Sequence, residues 1–247
     1  MQSLTRGMRV VEAVAHHNGA VGVGELSRIV DLPKSTVQRI LRSLAEAGWV
    51  QPTDDAVTRW KLGGKISALA RHGAERADLR QTALTFMRNL GGRTGETIHL
   101  IVPAPDGLVV LIERVDSTQP VRTYNEIGAT SAIHATAGGK VILARTPDDE
   151  LETFLARPLQ ASTPNTYTDP GKVREQVMEA RARGYAVNLA ENRAGVCAIG
   201  APVVVGNRAV AAVVISMPDS RFEPSRVDEW GRLAIDCANS IAGDLTV

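Results

Sequence analysis

One stretch, residues 23–60, constrains the fold more than any other part of the chain. Its central segment reads PKSTVQRILRSLAEAGWV, and Pro33 suits a first helical position because its ring presets φ and no N–H is needed there. Apolar residues then recur at helical spacing at Val37, Ile40, Leu41, Leu44 and Ala45. A shorter amphipathic segment, residues 25–30, precedes this one, and only a few residues around Asp31 separate the two. The pattern predicts two helices joined by a tight turn.

Strand-like residues follow the helix pair. Gly48 is placed to end the second helix, as glycine often does after a C-cap. Residues 49–51 and 59–62 have strand character and flank a polar segment at 52–58. This strand-turn-strand pattern predicts a β-wing, so the stretch as a whole predicts a winged helix-turn-helix.

The polar face of the second predicted helix has the chemistry that DNA requires. Arginine and glutamine form paired hydrogen bonds to guanine and adenine edges, and hydroxyls near a helix start suit phosphates. The candidate DNA contacts are Lys34, Ser35, Thr36, Gln38, Arg39 and Arg42 on this helix, with Arg59 in the wing. An ordinary solvated surface helix remains the alternative, and the neighbouring turn, shorter helix and wing favour DNA binding.

Charge and composition agree with a two-domain, DNA-binding chain. The net charge is only +1 over 247 residues, but residues 1–80 hold 12 lysines and arginines against 8 acidic residues. The basic excess therefore lies with the predicted reading helix. Two cysteines are too few for a disulfide framework, and neither a signal peptide nor an apolar run of ~20 residues is present. We expect a cytoplasmic protein with no membrane partner.

The remaining elements follow from periodicity. Residues 4–17 predict a first helix with Leu4, Met8, Val11, Val14 and Ala15 on its buried face. Residues 63–78 predict a linker helix, and residues 79–90 continue the helical pattern to a stop at Gly91-Gly92. Strands are predicted at 97–102, 108–115, 119–124, 185–189, 196–205 and 209–217, and helices at 151–155, 173–183 and 227–242.

This order of elements predicts an α+β chain with three parts. Residues 1–62 form the winged helix-turn-helix domain, residues 63–78 the linker helix, and residues 79–247 a domain with a largely antiparallel sheet and flanking helices.

Catalytic and metal motifs are missing from the sequence. It contains no GxSxG, HExxH, CxxC, Walker or GxGxxG pattern, and Gly138-Gly139-Lys140 lacks the preceding spacing of a phosphate loop. We therefore expect no catalytic residues, no cofactor and no metal. Two alternatives stay open: a small hydrolase with a nucleic-acid-binding appendage, and a redox or metal sensor acting through Cys197 and His134.

Motifs in both halves resemble one family. The winged helix-turn-helix that ends in RWKLGG resembles the N-terminal domain of the IclR family of bacterial transcriptional regulators. The segments GATSAIHATAGGKVILA at 128–144 and RGYAVNLAENRAGVCAIGAPV at 183–203 are similar to motifs of the IclR effector-binding domain. The resemblance spans residues 4–242 and implies a GAF-like effector-binding domain in the second half.

The resemblance also implies an effector pocket. Small residues let a ligand approach the backbone, and hydroxyls and amides orient it. The implied effector-binding residues are Gly128, Ala129, His134, Ala135, Thr136, Ala137, Glu191, Asn192, Cys197, Ile199 and Ser216. A tight turn running into a helix is the alternative reading of the first segment. Cys197 also stands one place earlier than the family pattern, and a one-residue shift in a strand turns a side chain to the other face.

The expected function is that of a ligand-responsive, DNA-binding transcriptional regulator and not an enzyme. The resemblance implies double-stranded operator DNA as one partner and a small-molecule effector as another. The expected effector is a small carboxylic acid or an aromatic catabolite. The resemblance further implies a homodimer or a dimer of dimers.

Overall fold

The computed structural model describes residues 2–17, 19–53, 57–66, 68 and 74–245. It divides into two compact units, residues 1–77 and residues 78–247. Within the described residues, no helix is both long and apolar enough to cross a membrane. The fold is mixed α+β, as predicted.

The first unit is a winged helix-turn-helix. Its elements are α1 (Gln2–His16), α2 (Val23–Val30), α3 (Lys34–Glu46), β1 (Val50–Pro52) and β2 (Trp60–Leu62). Antiparallel pairing of β1 with β2 forms the wing, with Val50 opposite Leu62. Pro33, predicted as the first helical residue, is instead the N-cap of α3, and the helix begins one residue later at Lys34.

The turn between α2 and α3 is closed by local hydrogen bonds. Asp31 adopts a left-handed conformation with φ of 51° and ends α2. The Ser27 hydroxyl donates to the Leu32 carbonyl at 2.6 Å, and the Leu32 N–H donates to the Ser27 carbonyl at 3.2 Å. These contacts close the turn, and Leu26, Val37 and Leu41 are buried in the core of the first unit.

The face predicted for α1 was wrong in part. Val10, Ala13 and Val14 are buried, whereas Leu4 is 70% exposed and Met8 is 48% exposed. Helical periodicity does not distinguish the predicted apolar stripe from the one that contains Val10 and Ala13, because Val14 belongs to both. The position of α2 and α3 selects the stripe that contacts the core.

The long helix α4 (Ala74–Thr94) belongs to the second unit except for its first four residues. It continues through Gly91 and Gly92, so the predicted stop there was wrong. A Cβ on Gly91 would lie 3.4 Å from Val115 Cγ1, so a glycine keeps the helix close to the sheet. The helix ends instead before Gly95, whose φ of 72° suits a residue after a C-cap. Of the predicted linker helix, residues 67 and 69–73 lie outside the described residues.

A sheet dominates the second unit. Its strands are β3 (Thr97–Ala104), β4 (Leu108–Val115), β5 (Thr130–Ala132), β6 (Ala186–Leu189), β7 (Val196–Val205) and β8 (Arg208–Pro218). In the described part of the chain these form one six-stranded antiparallel sheet in the order β5-β4-β3-β8-β7-β6. The helices are α5 (Ala137–Leu143), α6 (Asp148–Leu155), α7 (Pro170–Arg183) and α8 (Val227–Leu245).

The strand predicted at residues 119–124 is a loop. Two hydrogen bonds that each involve a threonine hydroxyl connect it to the sheet in place of a backbone ladder. The Thr123 hydroxyl donates to the Ser216 carbonyl, and the Thr97 hydroxyl donates to the Thr123 carbonyl, both at 3.3 Å. The edge strand is instead β5, whose Thr130 pairs with Val110.

The sheet separates two apolar cores. On one face, α4 and α8 pack against side chains that include Leu100, Ile199 and Ile215. On the other face, α5, α6 and α7 pack against Ile101 and Val214, among others. Because successive side chains of a strand alternate between the faces, neighbouring residues reach different cores.

Candidate functional site

The polar face of α3 is directed to solvent. Lys34, Ser35, Gln38, Arg39 and Arg42 are exposed and Thr36 is half-buried. On the opposite side of the helix, Val37 and Leu41 are completely buried in the core of the first unit. The helix therefore presents its cations, hydroxyls and amide together, which is the arrangement that contact with a nucleic acid requires.

Arg59 occupies the wing just before β2. Its Nη1 donates to the Ala20 carbonyl at 3.3 Å, and its backbone N–H donates to Thr53 Oγ1 at 3.2 Å. The bond to Ala20 ties the wing to the loop before α2, and the bond to Thr53 lies within the wing. The guanidinium stays exposed and keeps further donors available for a phosphate.

A cavity of about 140 Å³ lies in the second unit, between the α5 face of the sheet and the loop that follows β4. Its apolar side consists of Ile101, Val109, Leu111 and Val214. Hydroxyl, amide and imidazole groups form the other side, from His99, Thr123, Thr136, Asn188, Asn192 and Ser216. For scale, an apolar cavity of ~150 Å³ holds a benzene ring.

Glycines bring the start of α5 close to the sheet. A Cβ on Gly200 of β7 would lie 2.8 Å from the Gly138 nitrogen, and a Cβ on Gly138 would lie 2.7 Å from Val214 Cγ2. Either substitution would force the helix and the sheet apart. The Gly139 N–H donates to Thr136 Oγ1 at 2.9 Å, which caps the helix where it meets the cavity.

The structure brings some of the implied effector residues to this cavity. Ala129, Thr136, Ala137, Asn192 and Ser216 line it. They come from the loop before β5, the start of α5, the loop after β6, and β8. Segments more than 80 residues apart in the chain thus meet at one site.

Other implied effector residues do not line the cavity. Cys197 and Ile199 face the opposite core, because Ala198 is the residue of β7 that faces the cavity. Gly128 forms a turn, with φ of 92° and its N–H donating to the Leu111 carbonyl at 2.7 Å. Ala135 is fully buried, and its carbonyl accepts a hydrogen bond from the Asn188 side chain.

His134 and Glu191 also have structural contacts away from the cavity. His134 packs against Phe154, with ring centroids 6.4 Å apart, and its Nε2 lies 3.2 Å from the Gln160 carbonyl. Burial lowers the pKa of His134. The Glu191 carboxylate instead forms a buried ion pair with Lys140, at 2.6 Å between Oε1 and Nζ.

The Lys140–Glu191 ion pair is buried and connects two segments that contribute residues to the cavity. The side chain of Lys140 is 0% exposed and that of Glu191 is 3% exposed. Lys140 Nζ also donates to Gln176 Oε1 at 2.8 Å and to the Val187 carbonyl at 3.2 Å. Burial lowers the pKa of Lys140 and raises that of Glu191, and the mutual attraction opposes both shifts. The pair joins α5 to the loop that carries Asn192.

Several cavity residues were not identified from the sequence, and His99 is the most important. It lies on β3 between Thr97 and Ile101, and strand alternation places all three side chains on the same face. Burial, followed by the charge of Arg114, lowers the pKa of His99 to about 4. Thr123, Asn188 and Arg193 also line the cavity and were not predicted. Thr123 lies outside the two motif segments, and Asn188 and Arg193 lie within the second segment at positions that were not predicted to bind the effector.

The cysteines do not form a reactive site. Burial raises the pKa of Cys197 and raises that of Cys237 to about 12, so both thiols stay protonated and poorly nucleophilic. Among the residues that the structure describes, no group of three or more His, Cys, Asp or Glu side chains is arranged to hold a metal ion.

Both parts of the chain match family models. Residues 72–243 match the C-terminal domain of the bacterial transcriptional regulator IclR, and residues 3–54 match the IclR helix-turn-helix domain. The chain belongs to the IclR family. The transcriptional repressor IclR of Escherichia coli is 30% identical over 98% of this chain and 89% of its own length. The glycerol operon regulatory protein of Streptomyces coelicolor is 32% identical over 99% of this chain and 96% of its own length.

Solved IclR structures match this chain over nearly its full length. IclR of Thermotoga maritima superposes with a TM-score of 0.78 at 28% identity, covering 100% of both chains. An IclR homologue from Microbacterium hydrocarbonoxydans, crystallised with 4-hydroxybenzoate, gives a TM-score of 0.79 at 25% identity and covers 99% of both chains. The related proteins are named as transcriptional regulators and repressors, so this chain is a DNA-binding IclR regulator and not an enzyme.

Proposed function

We propose that this IclR protein is an effector-responsive regulator. In this proposal α3 reads operator DNA, the cavity of the second unit binds a small organic acid, and occupancy of the cavity changes operator affinity. One observation carries the proposal: the cavity combines an apolar side with neutral donors and one arginine, and no aspartate or glutamate lines it among the described residues.

The charge of the cavity favours an anion. Arg193 lines it, while its Nη1 donates to the Tyr124 carbonyl at 3.0 Å and so holds the side chain in place. Hydroxyls of Thr136 and Ser216 and the amide of Asn192 add neutral polar groups. A carboxylate in this setting gains hydrogen bonds and meets no like charge.

The size and lining of the cavity favour a compact ligand. Branched aliphatic side chains form its apolar side, and no Phe, Tyr or Trp lines it among the described residues. A short aliphatic acid or a single-ring acid matches a volume of about 140 Å³. The relative crystallised with 4-hydroxybenzoate makes that compound a suitable test ligand for this chain.

The exposed face of α3 supports sequence-specific DNA binding. Gln38 and Arg39 occupy its centre, and we propose that both contact base edges while Lys34, Ser35, Thr36, Arg42 and Arg59 contact the backbone.

A homodimer would place two such helices in successive major grooves, ~34–36 Å apart on a near-palindromic operator. The apolar side chains that α1 leaves exposed, Leu4 and Met8, favour self-association, either as a dimer or as a dimer of dimers.

Effector and DNA binding are coupled only as far as the effector distinguishes two states of the protein. We propose that the acid binds the DNA-bound and free states with different affinities. The coupling is then reciprocal, so operator DNA changes the affinity for the acid by the same factor.

Fluorescence anisotropy tests the proposal. Purified protein is titrated onto labelled DNA from upstream of its own gene and onto scrambled DNA, with and without 4-hydroxybenzoate, benzoate and pyruvate. We expect preference for the upstream DNA and a change in its affinity with one of the acids. Equal weak binding to both DNAs, unchanged by every acid, would contradict the proposal.

A further inference from the structure

His99 is a buried polar residue that lacks a partner and lines the cavity. The residue is 6% exposed, and Nε2 has no hydrogen-bond partner among the described residues. The imidazole lies on the middle of the sheet, because β3 pairs His99 with Val214 of β8 on one side and with Arg114 of β4 on the other. Buried ring nitrogens are normally hydrogen-bonded, so this one is a site at which a ligand atom is expected.

We propose that His99 is a specificity-determining residue of the effector pocket, donating its Nε2–H to an acceptor oxygen at the buried end of the effector. The proposal rests on the proposed function, because it takes the cavity to be the effector site. It goes further by naming the group that reads the effector and the atom that the effector must present.

The role of donor follows from the surroundings of His99. Burial and then the charge of Arg114 lower the pKa of His99 to about 4 against the smaller opposing effect of Asp116, so the ring is neutral near pH 7 and carries a single N–H. With Arg193 also at the cavity and no lining carboxylate among the described residues, an acceptor-rich ligand is favoured over a donor-rich one. A neutral ring that faces an acceptor must place its N–H toward it.

The neighbours of His99 define the orientation of the ligand. Thr123 and Ser216 lie at the same polar side, and the Thr123 hydroxyl is already donated to the Ser216 carbonyl. Ile101, the next residue on the same face of β3, begins the apolar side. The ligand class is therefore an acid or hydroxy acid with an oxygen at one end and a compact apolar body.

Two variants separate the hydrogen bond from the shape of the side chain. His99→Leu removes both ring nitrogens and keeps an apolar body of similar bulk. His99→Gln places an amide N–H near the position of Nε2. Circular dichroism and the thermal midpoint establish that each variant is folded before binding is measured.

Isothermal titration calorimetry of the full chain with 4-hydroxybenzoate, benzoate and pyruvate gives the affinities. For the acid that wild type binds most tightly, we expect His99→Leu to weaken binding about 10- to 100-fold, because the partner of a buried group is lost. His99→Gln is expected to stay within about fivefold of wild type, since it preserves a donor.

The possible results are distinguishable. If His99→Leu binds the acid as tightly as wild type, the proposal for His99 is overturned while the effector site stands. If wild type binds none of the three acids, the proposed effector class falls, and the proposal for His99 falls with it.

A second measurement reports on the ring nitrogen directly. In ¹⁵N-labelled wild type, addition of the bound acid should shift the Nε2 resonance of one histidine as a protonated, hydrogen-bonded nitrogen. That resonance should be missing from His99→Gln. An unchanged His99 resonance in the acid complex would overturn the proposal even if His99→Leu does not fold.

Discussion

Removal of Lys140 from its buried ion pair is expected to destabilise the second unit strongly. The side chains of Lys140 and Glu191 are 0% and 3% exposed, so neither partner can return to water without local unfolding. In Lys140→Met the methionine fits the apolar path of the lysine stem, but Glu191 keeps a buried charge with no counter-ion. Breaking a buried pair in this way costs about 3–5 kcal/mol.

The loss of stability in Lys140→Met should depend on pH, because it leaves the Glu191 carboxylate without its counter-ion. Burial already raises the pKa of Glu191 in wild type, and removal of the Lys140 ammonium raises it further. A carboxyl whose pKa is higher in the folded state binds more protons when folded, so folding is favoured as pH falls. The cost of Lys140→Met should therefore be larger at pH 8 than at pH 5.

Urea denaturation at both pH values measures this cost. Trp230 lies in the core of the second unit, so its fluorescence follows that unit when Trp49 and Trp60 are replaced by Phe. Arg208→Met is the matched control, because its pair with Glu150 lies on the surface. The double variant Lys140→Met/Glu191→Gln should recover much of the loss, since the uncompensated charge is gone.

The reasoning would be refuted by a loss for Lys140→Met no larger than that for Arg208→Met. A loss that grows as pH falls would refute it equally, because the stranded group would then not be a carboxylate.

Three further predictions concern DNA binding, the effector and pH. Gln38→Ala and Arg39→Ala should each lose ~1–3 kcal/mol of discrimination between operator and random DNA in anisotropy titrations, and unaltered discrimination in both variants would exclude a base-reading role. Thr136→Val should weaken binding of the acid, and it should lower stability by ~0.5–2 kcal/mol because the hydroxyl that accepts the Gly139 N–H is lost. Thr136→Ser should keep this helix cap. Calorimetry measures the binding of the acid to each variant, and thermal melts measure their stability. The His99 pKa falls from 6.5 to about 4 in the folded chain, so the unfolded chain binds the extra proton and stability should drop as pH falls from 6.5 to 4, by about 3 kcal/mol in all. His99→Gln should flatten that part of the stability profile, and an identical profile in the variant would assign the effect to other groups.

Local patterns accounted for much of the fold. The stripe on α3, the wing and the long strand β7 follow from spacing alone, because a helix or strand of sufficient length carries its period in its own residues. The incorrect predictions concern segments whose conformation is determined by contacts with distant parts of the chain. Packing against the sheet lets α4 run through Gly91, and side-chain bonds replace a ladder at Thr123.

The residues that line the cavity also depend on long-range contacts, which local sequence patterns do not determine. The sequence by itself determined the family, the two domains' motifs, and the small residues around Thr136. Only the tertiary structure decided that Ala198 faces the cavity while Cys197 faces the other core, and that Glu191 neutralises a lysine 51 positions earlier. It also placed His99 beside Val214, a neighbour more than 100 positions away in the chain. Periodicity records which side chains share a face, whereas strand order, register and helix packing determine what each face contacts.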